Sequence, residues 1–296
     1  MNEEVYVVFT MDCERIASES PEGGGPPSWK VSRRAIVGWA KALERHGFKG
    51  TYFITPAAAN VHSSIFAKLE DRGFELGLHL HPGSFRDLTF KWYLGSYAYE
   101  EQKEVIELAI EDWERALGWR PETFRAGYTS ANDYTFRVLN ELKFKQTSTI
   151  IPWRNRPSVY AVWIGAYPYP HHVDLSNRLK IGHSDPFEVP ITANWRREVG
   201  KGIPLDLRVE ANCTLDVHLE TVAMNLDRMI KLNTDIKAIV CITHNTLDYE
   251  NPANPKRKVL EALVDGIVKI IKDKEFEPIP ATIKEVHKAA HKSAFR

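Results

Sequence analysis

The sequence lacks the features that mark membrane-spanning, secreted and nucleic-acid-binding proteins. No apolar run approaches the ~20 residues that a membrane-spanning helix needs. The acidic start, Met1–Glu4, leads directly into a predicted strand, without the basic and apolar segments of a signal peptide. Lys and Arg total 39, as do Asp and Glu, and this zero net charge gives no support for nucleic-acid or membrane binding. These absences predict a cytoplasmic protein.

Cysteine is scarce, and its placement argues against a disulfide framework. The three cysteines, Cys13, Cys213 and Cys241, are odd in number and far apart, which is typical of reduced thiols in a cytosolic protein. The sequence also lacks internal repeats, heptads and low-complexity linkers. Its 43% hydrophobic residues, including 8 Trp, suffice for one large core. We therefore expect a single domain over residues 1–296, in which residues 152–216 form an irregular insertion or a lid.

Strand and helix patterns alternate along most of the chain. Apolar, β-branched runs are followed by segments of helical periodicity, such as Arg33–His46 after a predicted Ser32 cap, and Ser63–Arg72. This alternation predicts parallel βαβ units, and barrels of this class run to ~250 residues or more as one domain. Several predicted strands end in polar residues, where such barrels carry their chemistry. These residues are Asp12, His81, Tyr128 and His244.

One predicted strand, Phe74–His81, ends in two histidines. Alternate residues of a strand point to the same face, so His79 and His81 lie side by side. Two neighbouring imidazoles can bind one cation, and imidazole suits Zn, Fe, Ni or Cu better than Mg or Ca. The pair therefore predicts a transition-metal site.

The first strand, Val5–Glu14, ends in two acids at the same spacing. Alternation places Asp12 and Glu14 on one face and Cys13 on the other, which favours Glu14 as a ligand beside the histidines. If the strand bulges, Cys13 would face the metal as a thiolate instead. Without a metal, the two acids would be a solvated strand end or a helix cap. An acidic pair and a histidine pair at two strand ends indicate a metal-assisted hydrolase.

Five short segments stand at predicted strand ends in a distinctive order. They are Phe9–Asp12, Gly50–Ile54, Glu75–His79, Phe124–Tyr128 and Ile242–His244. In that order they resemble the Thr-Phe-Asp-Asp, Ala-Thr-Phe-Phe, Glu-x-Gly-x-His, Phe-Arg-x-Pro-Tyr and final apolar-x-His motifs of the polysaccharide deacetylases. These proteins share the NodB homology fold and form carbohydrate esterase family 4. The resemblance covers residues 5–145 well and returns at 236–290.

The resemblance implies a fold, a cofactor and a set of roles. The fold would be an irregular (β/α)7-type barrel, and the cofactor a divalent metal, usually Zn, with Co, Ni, Mn or Fe as alternatives. The expected chemistry is removal of an acetyl group from an N-acetylated sugar. The roles carried over are His79 as a metal ligand, Asp12 as general base held by Arg125, the Tyr128 backbone N–H as oxyanion donor, and His244 as general acid. Glu14 and His81 complete the expected metal site through strand alternation, since they do not stand at the family's own ligand positions.

Three departures from the family pattern affect these assignments. The family's second histidine lies four residues after the first, where this chain has Gly83, and the nearest candidate is His81. Cys13 replaces the second Asp of the first motif, with an acid one place later. Gly127 replaces the Pro beside Arg125.

We expect a metal-dependent hydrolase of amide C–N bonds that deacetylates an N-acetylated sugar or oligosaccharide. One alternative is an allantoinase-like hydrolase of cyclic amides from the same superfamily. Another is a non-catalytic barrel that binds carbohydrate or protein, which the altered second motif would allow. Aromatic residues at 85–99 and 153–169 would stack on sugar rings, or form a lid or a homo-oligomer interface. Histidines outside the motifs, namely His171, His172, His183 and His218, are expected on the surface or in loops.

Overall fold

A computed structural model describes residues 3–20, 24–86 and 89–293 of the chain. The ends of the predicted domain, residues 1–2 and 294–296, lie outside the described residues. The strands are β1 (Glu4–Cys13), β2 (Gly50–Ile54), β3 (Glu75–Leu80), β4 (Thr123–Ala126), β5 (Gln146–Thr147), β6 (Asn155–Arg156), β7 (Ala161–Val162), β8 (His171–Val173), β9 (Ser184–Glu188), β10 (Ala193–Gly200), β11 (Ile203–Asp206), β12 (Ala238–His244) and β13 (Glu277–Ala281). The α-helices are α1 (Trp29–Arg45), α2 (Pro56–Asp71), α3 (Tyr99–Leu117), α4 (Thr135–Glu141), α5 (Leu215–Lys231), α6 (Pro255–Asp273) and α7 (Ile283–Ser293).

Within the described residues, the main sheet has nine strands, in the order β12-β1-β2-β3-β4-β5-β9-β8, with β13 also paired to β1. β13 pairs with the first half of β1 and β2 with the second half. All of these pairings are parallel except β8 with β9. The sheet curls, so that the chain beyond β9 reaches β12. Two hydrogen bonds join them: Thr192 N donates to Val240 O at 3.1 Å, and Val209 N donates to Ile242 O at 3.0 Å. This architecture confirms the predicted irregular α/β barrel.

Strand alternation separates two layers of core. Outward residues such as Val7 and Phe9 of β1 pack with the helices in one large buried cluster. Inward residues such as Val8 pack with Phe53 and Val240 in a second, smaller cluster inside the curl. Because residues two apart share a face, the inward row of β1 continues from Val8 to the polar residues at its carboxyl end. The sheet thus delivers polar side chains to the open end of the barrel.

The predicted starts of the first two helices are wrong. Helix α1 begins earlier, with Ser28 as its cap, whose Oγ accepts from Val31 N at 3.3 Å. Helix α2 begins at Pro56 after Thr55, whose Oγ1 accepts from Ala58 N at 3.4 Å. Apolar periodicity does not extend into these first turns, whereas a capping hydroxyl and a proline at the first helical position define them.

Residues 152–216 contain the short strands β6 to β11, and β10 and β11 pair as an antiparallel hairpin. The segment contributes Arg154, Val199, Ile203 and Asp206 to the wall of the cavity at the open end of the barrel.

Of the helices in the described part of the chain, none is long and apolar enough to span a lipid bilayer.

Candidate metal centre and active site

The carboxyl ends of β1, β3, β4 and β12 open onto a cavity of about 420 Å³. Parallel pairing sets Asp12 of β1 opposite His244 of β12, and His79 of β3 opposite Arg125 of β4. The cavity wall includes all seven residues predicted for the site: Asp12, Glu14, His79, His81, Arg125, Tyr128 and His244.

Glu14, His79 and His81, here named the mouth cluster, bring three donor atoms together in a small triangle. Glu14 Oε1 lies 3.2 Å from His79 Nε2 and 3.0 Å from His81 Nε2, and the two nitrogens are 3.1 Å apart. Ligands bound to tetrahedral Zn²⁺ at ~2.0–2.1 Å lie about 3.3 Å apart, close to this triangle. His79 Nδ1 donates to Arg125 O at 3.0 Å, which leaves the Nε2 lone pair for a metal. The donors present therefore fit a Zn²⁺-type ion.

The charges of the mouth cluster reinforce one another. Burial alone would raise the pKa of Glu14, but the charges of His81 and His79 outweigh burial and lower that pKa well below its usual range. Burial alone would lower the pKa of His79, but Asp12 and Glu14 outweigh it and raise that pKa. Cys13 lies on the opposite face of β1, packed in the outer core. Burial, with the charges of Asp12 and Glu14, raises the pKa of its thiol well above the usual value.

Asp12 and Arg125 form a buried ion pair beside the mouth cluster. Arg125 Nη1 donates to Asp12 Oδ1 at 2.6 Å, and the guanidinium is fixed by further bonds from Nε to Ser148 O at 2.7 Å and from Nη1 to Thr10 Oγ1 at 3.0 Å. Burial favours a higher pKa for Asp12, but Arg125 and then His79 outweigh it, so that pKa is lowered. Asp12 therefore stays ionised, with Oδ2 at 3.7 Å from His79 Nε2.

His244 faces Asp12 across the cavity and is held by residues that the sequence analysis missed. Its Nε2 lies 4.0 Å from Asp12 Oδ2, and its Nδ1 hydrogen-bonds Glu210 Oε1. Arg208 Nη1 lies 3.2 Å from His244 Nε2, and this guanidinium is clamped by Asp206, with Nη2 at 2.8 Å from Oδ2. A pattern in the sequence could have identified these residues, because charged Asp206, Arg208 and Glu210 alternate with buried apolar residues. This period-two pattern is typical of a half-buried strand.

Two departures from the family motifs prove to be structurally coupled. A Cβ placed on Gly127 would lie 2.4 Å from His81 Nδ1, so any side chain there would overlap the imidazole ring. The shortened histidine spacing brings His81 into the space beside the arginine strand, and glycine at 127 leaves that space free. Tyr128 follows with a φ of +55° and packs edge-to-face on His81, with ring centroids 4.9 Å apart.

Two of the other histidines differ from expectation. His171 and His218, expected on the surface or in loops, are 5% and 0% exposed. Burial lowers the pKa of His171 to about 4.

Of the aromatic residues in the 85–99 segment, Trp92 and Tyr93 line the cavity, and Trp92 is 66% exposed at its rim. This placement is compatible with stacking on a sugar ring.

Comparison with known proteins agrees with the predicted fold. Residues 34–147 match the family model described as polysaccharide deacetylase. This match contains His79, His81, Arg125 and Tyr128, whereas Asp12, Glu14 and His244 lie outside it. A search of curated proteins finds no match.

Three solved structures share the fold at low sequence identity. A Mycobacterium smegmatis protein assigned as a polysaccharide deacetylase is 16% identical, with a TM-score of 0.64 over 99% of this chain and 92% of that one. Puue allantoinase is 13% identical, with a TM-score of 0.60 over 97% and 90%. A Pseudomonas aeruginosa PAO1 protein, also assigned as a polysaccharide deacetylase, is 12% identical, with a TM-score of 0.58 over 97% and 91%. With the family match over residues 34–147, these likenesses confirm the predicted resemblance to the polysaccharide deacetylases and the fold that it implies.

Proposed function

We propose that the chain is a metal-dependent hydrolase of amide C–N bonds that deacetylates an N-acetylated sugar. The ion, most simply Zn²⁺, would be held by Glu14, His79 and His81. The observation that carries the proposal is the triangle of three donor atoms, 3.0–3.2 Å apart, which shares one cavity with ionised Asp12 and with His244. The match of residues 34–147 to the polysaccharide deacetylase family supports hydrolysis of C–N bonds.

The residues beside the mouth cluster suit the first half of amide hydrolysis. A bound Zn²⁺ ion would polarise the amide carbonyl and make water a better nucleophile at neutral pH. Asp12 accepts the proton of the attacking water through Oδ2, the oxygen that does not bind Arg125. Arg125 is a positioning residue, because it fixes Asp12 and keeps the carboxylate ionised. The Tyr128 backbone N–H is our candidate donor to the oxyanion that forms as the C–O bond is made.

His244 suits the second half of the reaction. When the C–N bond breaks, the leaving amine needs a proton, which His244 would donate from Nε2. Glu210 orients the ring through Nδ1, and Thr243 Oγ1 donates to Glu210 Oε2 at 2.8 Å, so the carboxylate is itself fixed. The products are acetate and a free amino sugar, and the transferred protons balance those taken from water.

A second candidate substrate is a small cyclic amide such as a ureide. The β10–β11 hairpin places Val199 and Ile203 on the wall of the cavity, whose volume of about 420 Å³ suits a small substrate. Exposed Trp92 at the rim favours a sugar, since a flat aromatic face stacks on a sugar ring. The two candidates use the same residues on the same type of bond.

The test is an assay of the Zn²⁺-loaded chain against both substrate types. Acetate release from N-acetylglucosamine oligomers would support the deacetylase, and ring opening of a cyclic ureide would replace it with the second candidate. An Asp12→Asn variant is the matched control, since it keeps the shape of the side chain and removes the base. If neither substrate turns over in a chain with stoichiometric Zn²⁺, the proposal fails, and a binding function for the barrel is favoured.

A further inference from the structure

A second histidine–carboxylate cluster lies outside the cavity and is not used by the proposed reaction. It consists of His172 on β8, Asp185 on β9 and His287 on α7, here named the α7 cluster. One donor atom from each of the three lies within 4.8 Å of the other two. None of these residues is among those that line the cavity. The cluster therefore needs an explanation of its own.

The donor atoms of this cluster face one another without hydrogen bonds. Asp185 Oδ1 lies 3.5 Å from His287 Nε2 and 3.7 Å from His172 Nδ1. Both nitrogens are buried and have no hydrogen-bond partner among the described residues. His287 as a whole is only 6% exposed. Ligands of a tetrahedral Zn²⁺ ion, at ~2.0–2.2 Å from it, would lie about 3.3–3.6 Å apart, close to these separations.

A chain of hydrogen bonds assigns the tautomer of His287. Thr123 Oγ1 donates to a Glu75 carboxylate oxygen, so it accepts from Gln146 Nε2, at 2.6 Å. That orientation turns Gln146 Oε1 toward His287, whose Nδ1 lies 3.1 Å away and must be the donor. The Nε2 atom of neutral His287 then carries a bare lone pair, directed at the Asp185 carboxylate. A cation between the two would satisfy both groups, and metal-binding histidines usually donate their other N–H in this way.

The surroundings hold the ring in place and offer a further ligand. His287 stacks on Phe187, with centroids 4.9 Å apart and an angle of 6° between the planes. One helical turn later, His291 places its ring 4.6 Å from that of His287 and 5.8 Å from that of His172. Histidines at i and i+4 of a helix share a face and can bind one metal. Lys145 Nζ lies 4.0 Å from Asp185 Oδ2, the oxygen that the histidines leave free.

We propose that His172, Asp185 and His287, with His291 as a fourth ligand, bind a Zn²⁺-type ion that fastens α7 to the β8–β9 edge of the sheet. Two or three imidazoles and one carboxylate are the donors that such an ion prefers. The site is separate from the mouth cluster and does not depend on the proposed hydrolase function.

The experiment counts Zn²⁺ bound per chain by equilibrium dialysis and mass spectrometry of the metal, on an untagged chain of residues 1–296. We expect two ions for the unaltered chain, one for His81→Ala, one for Asp185→Asn and none for the double variant. His291→Ala, which changes an exposed side chain, should weaken the second ion at least tenfold without affecting folding. His46→Ala is the control, because His46 forms a surface pair with Asp265 at 2.9 Å and has no part in either cluster.

Two results would overturn the proposed metal site at the α7 cluster. One ion in the unaltered chain, lost in His81→Ala and kept in Asp185→Asn, would overturn the α7 site and leave the mouth cluster intact. Two ions in both Asp185→Asn and His291→Ala would also overturn it, because the second ion would then lie elsewhere. Circular dichroism confirms folding of each variant, and the exposed His291→Ala variant decides the matter if Asp185→Asn does not fold. Catalytic activity is not needed as a readout.

Discussion

The mouth cluster and the α7 cluster offer the same kinds of donor atom in different surroundings. In the mouth cluster, the donors project into a cavity and face Asp12, Arg125 and His244. In the α7 cluster, His287 is packed against Phe187 and lies apart from that cavity. A metal that performs hydrolysis needs an open coordination position beside a base and an acid, whereas a structural metal needs only ligands. The residues around the ligands therefore separate a catalytic site from a structural one.

The two clusters also differ in how protons compete with a metal. Asp12 and Glu14 raise the pKa of His79 against the effect of burial, so a proton binds this imidazole more tightly and competes with a metal for the mouth cluster. Burial lowers the pKa of His287 to about 4, and the nearby Asp185 does not reverse this. The His287 ring is therefore neutral at pH 7, the form in which imidazole binds metals.

The largest effect should follow loss of the mouth cluster. We expect His79→Ala to lose one Zn²⁺ ion and to lower kcat/KM by roughly 10³-fold or more, since a catalytic metal contributes several kcal/mol to the transition state. Metal analysis and steady-state kinetics measure both effects, with His46→Ala as the control. Wild-type kinetics in His79→Ala would contradict the catalytic assignment of the cluster.

Replacing the base should separate chemistry from metal binding. Asp12→Asn should lower kcat by about 10²–10⁴-fold, the usual contribution of a general base, and retain both ions. It also leaves buried Arg125 without the carboxylate to which it is hydrogen-bonded, so we expect a lower Tm. Kinetics, metal content and thermal unfolding are measured on one preparation. Unchanged turnover would show that another group takes the proton.

A smaller effect should follow crowding of His81. A Cβ at position 127 would meet His81 Nδ1 at 2.4 Å, so Gly127→Ala should displace the ring and weaken Zn²⁺ at the mouth by about 10–100-fold, the effect of disturbing a ligand's support. Gly24→Ala is the matched control, because, apart from its chain neighbours, no atom of the described residues lies within 4 Å of a Cβ there. Isothermal titration with Zn²⁺ compares the two. Equal affinity in both variants would contradict the coupling of Gly127 with His81.

The part of the site that the sequence predicted is the part that strand periodicity determines. Asp12 lies near the end of β1, Glu14 directly follows that strand, and His79 lies near the end of β3. Parallel strands bring their carboxyl ends to the same edge of a sheet. Alternation alone puts Cys13 on the opposite face, where the structure has it. The alternation of strands and helices predicted the parallel βαβ units, and the family motifs drew attention to Arg125 and Tyr128.

The missed residues depend on pairings between distant segments. Asp206, Arg208 and Glu210 alternate as a strand does, but they reach His244 only because Val209 N donates to Ile242 O, a contact that no local pattern specifies. The α7 cluster joins residues from β8, β9 and α7, which are far apart in the sequence. Only the i, i+4 spacing of His287 and His291 was visible locally. Their carboxylate partner could not be predicted before the fold was known.

Substitutions in the α7 cluster should have the smallest effect on activity. Their main effect should be on the thermal stability of the protein. An ion that binds only the folded state, at one hundred times its Kd, stabilises the fold by about 2.7 kcal/mol, so Zn²⁺ should raise the Tm of His81→Ala by roughly 5–10 °C. The same addition should raise the Tm of His81→Ala/His291→Ala by clearly less, because one ligand of the remaining site is gone. Differential scanning calorimetry with and without Zn²⁺ measures the shift in Tm. The single variant His291→Ala should keep kcat/KM within about twofold, since no residue of α7 is among those that line the cavity. Equal Zn²⁺-dependent shifts with and without His291 would exclude that histidine as a ligand, whereas a large loss of kcat/KM would mean that the two clusters are coupled through β9.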